Sequence, residues 1–149
     1  MRILNINELS EDLKSRIEKM KEIADRADSK YYGYNVCSMI IDEKNNEFLG
    51  VNWEPANGDS TCAEVGAISN YLLSTKEPIK YVLTFGYPKH TEYRENTFCF
   101  PCGRCRQRLL DYVNEKTICY GINETATLVK ECEFSELLPH SFSAANLND

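Results

Sequence analysis

The sequence has no apolar run long enough to span a membrane, and its opening residues, MRILNINELSEDLKSRIEKMK, hold no apolar core of signal-peptide length. A cytoplasmic protein without a membrane partner is the expectation. There is no basic surplus either: 17 lysines and arginines stand against 23 aspartates and glutamates, giving a net charge of -6 and a pI near 5.0. That balance argues against a passive grip on nucleic acid, which needs a basic face to release counterions from phosphates. A small neutral ligand fits better. Internal repeats and low-complexity tracts are absent. Nor is a disulfide framework expected, because seven cysteines is an odd number and no export signal is read in the opening residues, which turns attention to metal ligation or catalysis.

What is present suits one compact domain. The 149 residues are 42% hydrophobic and 27% charged, close to the globular average, and leave no room for a second core. A single domain over 1–149 is expected, with a core from about residue 8 to 142 and a flexible tail over 143–149. Leu9, Leu13, Ile17, Met20, Ala24 and Ala27 recur every three or four residues and mark an amphipathic helix, capped by Asn7 or Ser10. YNVCSMIID (34–42) and EFLGVN (47–52), parted by the turn-prone EKNN, read as a hairpin. TCAEVGAISNYLLSTK is helical by spacing, IKYVLTFG (79–86) is a strand, and CGRCRQRLLDYV is a further helix with Pro101 at or before its first turn. KTICYGI and ATLVKE are joined by too few residues for a crossover, so they are antiparallel neighbours, followed by a helical turn at FSELL. The expected fold is a three-layer α/β/α sandwich around a five-stranded mixed sheet whose last two strands are antiparallel.

Two of these helices begin at cysteines, where free backbone N–H groups favour thiolate. Cys102 and Cys105 have the C-x-x-C spacing that brings two sulfurs to one ion, and Cys62 would supply a third. Structural zinc is normally closed by four protein ligands, so a set of three points to a catalytic zinc, one per chain. Glu64, two residues after Cys62, is placed to move protons rather than to bind metal. The other cysteines, Cys37, Cys99, Cys119 and Cys132, lack ligand spacing and read as strand or loop packing, and His90 and His140 are not needed as ligands.

The pairing of C-A-E (62–64) with P-C-G-R-C (101–105) resembles the signature of the zinc nucleobase deaminases. PCGRCRQRLLDY and the closing ELLPHSF look like segments of cytidine deaminases and of blasticidin-S deaminases, and cysteine rather than histidine at position 62 places the chain on the cytidine deaminase side. The resemblance implies hydrolytic deamination of cytidine or deoxycytidine to the uridine product, with release of ammonia, in pyrimidine salvage. It implies that Glu64 takes a proton from the zinc-activated water, delivers it to N3 of cytosine and protonates the departing ammonia.

The same resemblance assigns further roles. Asn52 and Glu54, in VNWEPANGD, match the family's N-x-E element that holds ribose hydroxyls, Tyr34 matches an aromatic near the substrate, and Phe142 matches a C-terminal aromatic that closes the pocket. Nucleoside deaminases usually carry arginine after C-A-E where this chain has Val65, so Arg104, with Arg106 as second choice, is expected to offset the charge of three thiolates. Pro55 and the long segment GYPKHTEYRENTFCF (86–100) also depart from the nucleoside enzymes. A similarly extended stretch occurs in a bacterial blasticidin-S deaminase, which makes a cytosine antibiotic the alternative substrate. A zinc-binding module without turnover is a more distant alternative. Family members are typically homotetramers, so a tetramer is expected, with a dimer second.

Overall fold

A computed structural model describes residues 1–147, and Asn148 and Asp149 of the expected tail lie outside the described residues. The elements run β1 (Arg2–Asn5), α1 (Glu11–Ala24), β2 (Tyr34–Asp42), β3 (Glu47–Val51), α2 (Ala63–Ser74), β4 (Ile79–Pro88), β5 (Phe98–Cys99), α3 (Gly103–Leu109), β6 (Ile118–Asn123), β7 (Leu128–Glu133) and α4 (Phe134–Leu137). Short 3-10 turns occupy Ile6–Glu8 and Ala144–Asn146.

The first helix starts where its sequence asks. The Ser10 side chain accepts from Leu13 N at 3.3 Å, Glu11 and Asp12 complement the dipole in the first turn, and Lys21 does so in the last. Its apolar stripe of Leu13, Ile17, Met20 and Ala24 buries against Met39, Ile41, Leu83, Phe85 and Ile122 of the sheet. Each such side chain contributes roughly 1.5–3 kcal/mol when fully removed from water. Helices α2, α3 and α4 cover the opposite face, packing Ala67, Ile68, Tyr71, Leu109 and Phe134 onto Ile40, Val82 and Cys119. A sheet covered on both faces explains why β2 and β4 read as near-continuous apolar runs instead of alternating ones.

The three-layer α/β/α class holds, but the sheet has seven strands, in the order β1-β7-β6-β4-β2-β3 with β5 added on β6, instead of the expected five. The two extra strands, four and two residues long, are too short to show a period of their own. β1 is a four-residue edge strand on β7, and β5 is a two-residue pairing with Asn123 and Ile122 of β6. Among the described strands only β4 and β6 pair in parallel, through the crossover that carries α3, and β6 and β7 are antiparallel as expected.

One contact fixes the depth of α2. Gly50 of β3 lies directly against the helix backbone, where a Cβ would fall 2.1 Å from Ala63 O and 2.5 Å from Ala67 N, and Gly66 faces the Gly50 Cα. Main chain meets main chain here, so no residue larger than glycine fits position 50.

Candidate active site

Helices α2 and α3 both begin at a cysteine: Cys62 and Cys102 are their N-cap residues, each in extended conformation and neither using its side chain as a cap. Their sulfurs lie 3.6 Å apart. Cys105, on the first turn of α3, completes a group of three sulfurs within 4.8 Å of one another, a metal-ligand cluster among the described residues. Two sulfurs on one tetrahedral zinc, with bonds of about 2.3 Å, must sit about 3.8 Å apart. The donor set and its spacing fit zinc, and three ligands leave one tetrahedral position for a group that is not protein.

The thiols are unequal. Burial pushes Cys102 up, but the backbone N–H groups of Cys105 and Arg104 and the other two sulfurs outweigh it and hold Cys102 below the ordinary thiol value. Burial and the contact with Cys102 push Cys62 up, and burial with the nearby Glu64 charge pushes Cys105 up. Of the close pair, Cys102 is therefore the more readily ionised.

Glu64 is buried, 3% exposed, in the first turn of α2. Burial raises its pKa, against opposing hydrogen bonds and the positive charge of Arg108. The carboxyl forms part of a cleft of about 230 Å³ whose wall also includes Cys62, Cys102, Tyr34, Asn52, Glu54, Trp53, Cys99 and Phe100. The structure thus brings together all three sulfurs, Glu64, Tyr34, Asn52 and Glu54.

Several assigned residues are already engaged. Asn52 Oδ1 accepts from Val36 N at 2.8 Å and its Nδ2 donates to Tyr34 O at 2.9 Å, which ties the 52–61 loop to β2. Glu54 Oε1 accepts from Tyr31 N and Tyr32 N at 2.9 and 2.8 Å, so it orders the segment leading into Tyr34. Phe142 stands apart. Its ring is 61% exposed and outside this chain's own cleft, while its carbonyl accepts from Gln107 Nε2 at 2.8 Å.

Arg104, expected to offset the thiolate charge, makes no hydrogen bond to a sulfur among the described residues, although it shares a surface recess with Cys62 and Arg108. It is Arg108 whose Nη1 donates to Cys105 Sγ at 3.8 Å. Arg106 is spent on the carbonyls of Pro101 and Leu137 at 2.7 and 2.9 Å. The signal was in the spacing, since residues three apart share a helix face and Arg108 follows Cys105 by three. Trp53 also went unassigned. Paired backbone hydrogen bonds between it and Thr61, at 3.0 and 3.1 Å, pinch the 53–61 loop into a narrow hairpin that places the indole on the cleft. Cys99 is a wall residue as well, while Cys37, Cys119 and Cys132 are core.

Residues 10–132 match the family model for the cytidine and deoxycytidylate deaminase zinc-binding region. The cytidine deaminase of Mycoplasma genitalium is 33% identical over 127 residues, covering 85% of this chain and 92% of that protein. That of Mycoplasma pneumoniae is 31% identical over 126 residues, covering 83% and 89%. Among solved structures, the cytidine deaminase from Burkholderia pseudomallei has a TM-score of 0.75 at 22% identity, covering 90% of this chain and 100% of that one, a likeness of fold.

Proposed function

Because the chain belongs to the cytidine and deoxycytidylate deaminase family, we propose that it hydrolytically deaminates cytidine and deoxycytidine to uridine and deoxyuridine, releasing ammonia. The observation that carries this reading is Glu64, a buried carboxyl that shares one cleft with two of the three metal-ligating sulfurs. Held by Cys62, Cys102 and Cys105, zinc supplies the Lewis acidity that makes water a nucleophile near neutral pH. Glu64 accepts a proton from the attacking water and hands it to N3 as oxygen bonds to C4. The carboxylate then takes the proton of the new C4 hydroxyl and passes it to the amine, and the C4–N bond breaks as ammonia leaves and the C4 carbonyl forms. A carboxyl whose pKa burial has raised suits a group that must both take and yield protons.

Asn52 and Glu54 are assigned to the sugar hydroxyls through the polar capacity their structural bonds leave over, and Tyr34 forms the wall beside them. Arg108 offsets the charge of the thiolate cluster. The acidic balance of the chain supports a free nucleoside over a polynucleotide, and with it a place in cytoplasmic pyrimidine salvage. No helix among the described residues is long and apolar enough to cross a membrane.

Ammonia release from cytidine, deoxycytidine, cytosine and blasticidin S tests the reading. Turnover of the two nucleosides is expected, and no ammonia from any of the four would overturn it. Turnover of blasticidin S alone would favour the second reading, an antibiotic deaminase, which the long segment beside the cleft supports.

The assembly proposed is a homotetramer with Phe142 completing a neighbour's cleft. Its support is the exposed ring of Phe142, held at α3 by Gln107, together with Leu72 and Leu73 at 51% and 83% exposed on α2. Sedimentation is expected to give a tetramer, and Phe142→Ala to raise KM about tenfold or more, the loss of an aromatic contact and its burial. A fully active monomer would refute the shared site.

A further inference from the structure

Glu124, one residue beyond β6, has a side chain with no solvent exposure at all, and a buried carboxylate is costly unless it is fully partnered. Its partners come from two places. Arg94, on the long segment after β4, gives Oε2 its backbone N–H at 2.7 Å and its Nε at 3.2 Å, and gives Oε1 its Nη2 at 2.6 Å. The other partner is the Tyr34 hydroxyl, which donates to Oε1 at 3.2 Å. Burial alone would raise the Glu124 pKa, but the Arg94 bonds outweigh it and keep the group ionised. Two neighbouring bonds staple the same segment to the end of β6: Asn123 Nδ2 to Glu95 O at 2.8 Å and Glu124 N to Thr97 O at 3.1 Å.

Tyr34 is thereby held at both ends. Its ring lies on Gly86, where a Cβ would sit only 2.7 Å from Cε1, and its hydroxyl is committed to Glu124. The face left toward the cleft is the aromatic surface, a wall for the flat base or the sugar carbons rather than a hydrogen-bond donor. We infer that Glu124 and Arg94 are a positioning pair that sets the Tyr34 ring, and that through them the 89–97 segment governs affinity for the nucleoside without touching the proton chemistry at Glu64. This rests on the deaminase reading.

Arg94 is the residue to change, because its side chain is 62% exposed, so its truncation opens no cavity, and Glu124 keeps its bonds from the residue 94 backbone N–H and the Tyr34 hydroxyl. Arg94→Ala holoenzyme is expected to raise KM for cytidine about five- to tenfold, the loss of a charge-assisted hydrogen bond, with kcat within about twofold. Arg94→Lys keeps the charge and recovers part of the loss. Tyr34→Phe removes the tether from the other side and raises KM similarly, and the double variant is no worse than the worse single variant. An unmoved KM in Arg94→Ala, a fall in kcat as large as the rise in KM, or effects that multiply in the double variant would each overturn the inference. A second readout is independent of turnover: trypsin should cut after Lys89 faster in Arg94→Ala than in the parent, and equal rates would overturn the clamp. If the parent protein deaminates none of the cytosine substrates, the functional reading falls and the cleavage rates alone judge the clamp.

Discussion

Glu64→Gln is expected to lower kcat by about two to four orders of magnitude, the range that positioned general acid–base catalysis supplies, while fold and zinc content stay those of the parent. The substitution is nearly isosteric, and position 64 points into the cleft from a helix whose seat on β3 is set by backbone contact. Glutamine fills the same space and accepts hydrogen bonds, but it cannot shuttle a proton. Metal analysis of the variant should give about one zinc per chain, as in the parent. Steady-state turnover within tenfold of the parent would remove Glu64 from the proton path.

The next largest effect belongs to the metal ligands. Cys102→Ala is expected to lose zinc and, with it, turnover. A complete zinc ligand set is worth on the order of 10 kcal/mol or more, so one thiolate carries about 3 kcal/mol, or about a hundredfold in affinity. Cys102 is the better test than Cys105, because it is exposed and leaves no cavity, whereas Cys105 is fully buried and its truncation would also loosen the core. The variant should also melt at a lower temperature than the zinc-loaded parent, since a ligand that binds only the folded state stabilises it. Full zinc occupancy in purified Cys102→Ala would sink the three-thiolate site.

The parts of this molecule that could be read from its sequence are those governed by local rules. Tyr34–Asp42 matches the strand expected from its β-branched run, and Cys62 and Cys102 start their helices as their flanking residues suggest. What escaped were features whose partners lie far along the chain. β1 is four residues, two polar and two apolar, paired with the edge of β7 over a separation of more than a hundred residues. Glu124 sits in an unremarkable NET turn, and nothing local says that its carboxyl receives Arg94 thirty residues earlier and Tyr34 ninety residues earlier. Arg108 is a different case. Its i+3 relation to Cys105 was visible, but Arg104 lies nearer the ligands in sequence and drew the expectation, although it makes no hydrogen bond to a sulfur among the described residues.

The seam between Gly50 and the start of α2 has an evolutionary consequence. Glu64 takes its position from main-chain atoms of β3, while the cleft walls around it come from Tyr34 and Val36 of β2, the 52–61 loop and Cys99 and Phe100 ahead of α3. Substitutions that reshape those walls leave the reaction centre unmoved. A lineage built this way can drift from one cytosine compound to another through neutral intermediates that never lose chemistry, and directed selection for a new substrate should find its successes in those walls, with position 50 fixed as glycine throughout.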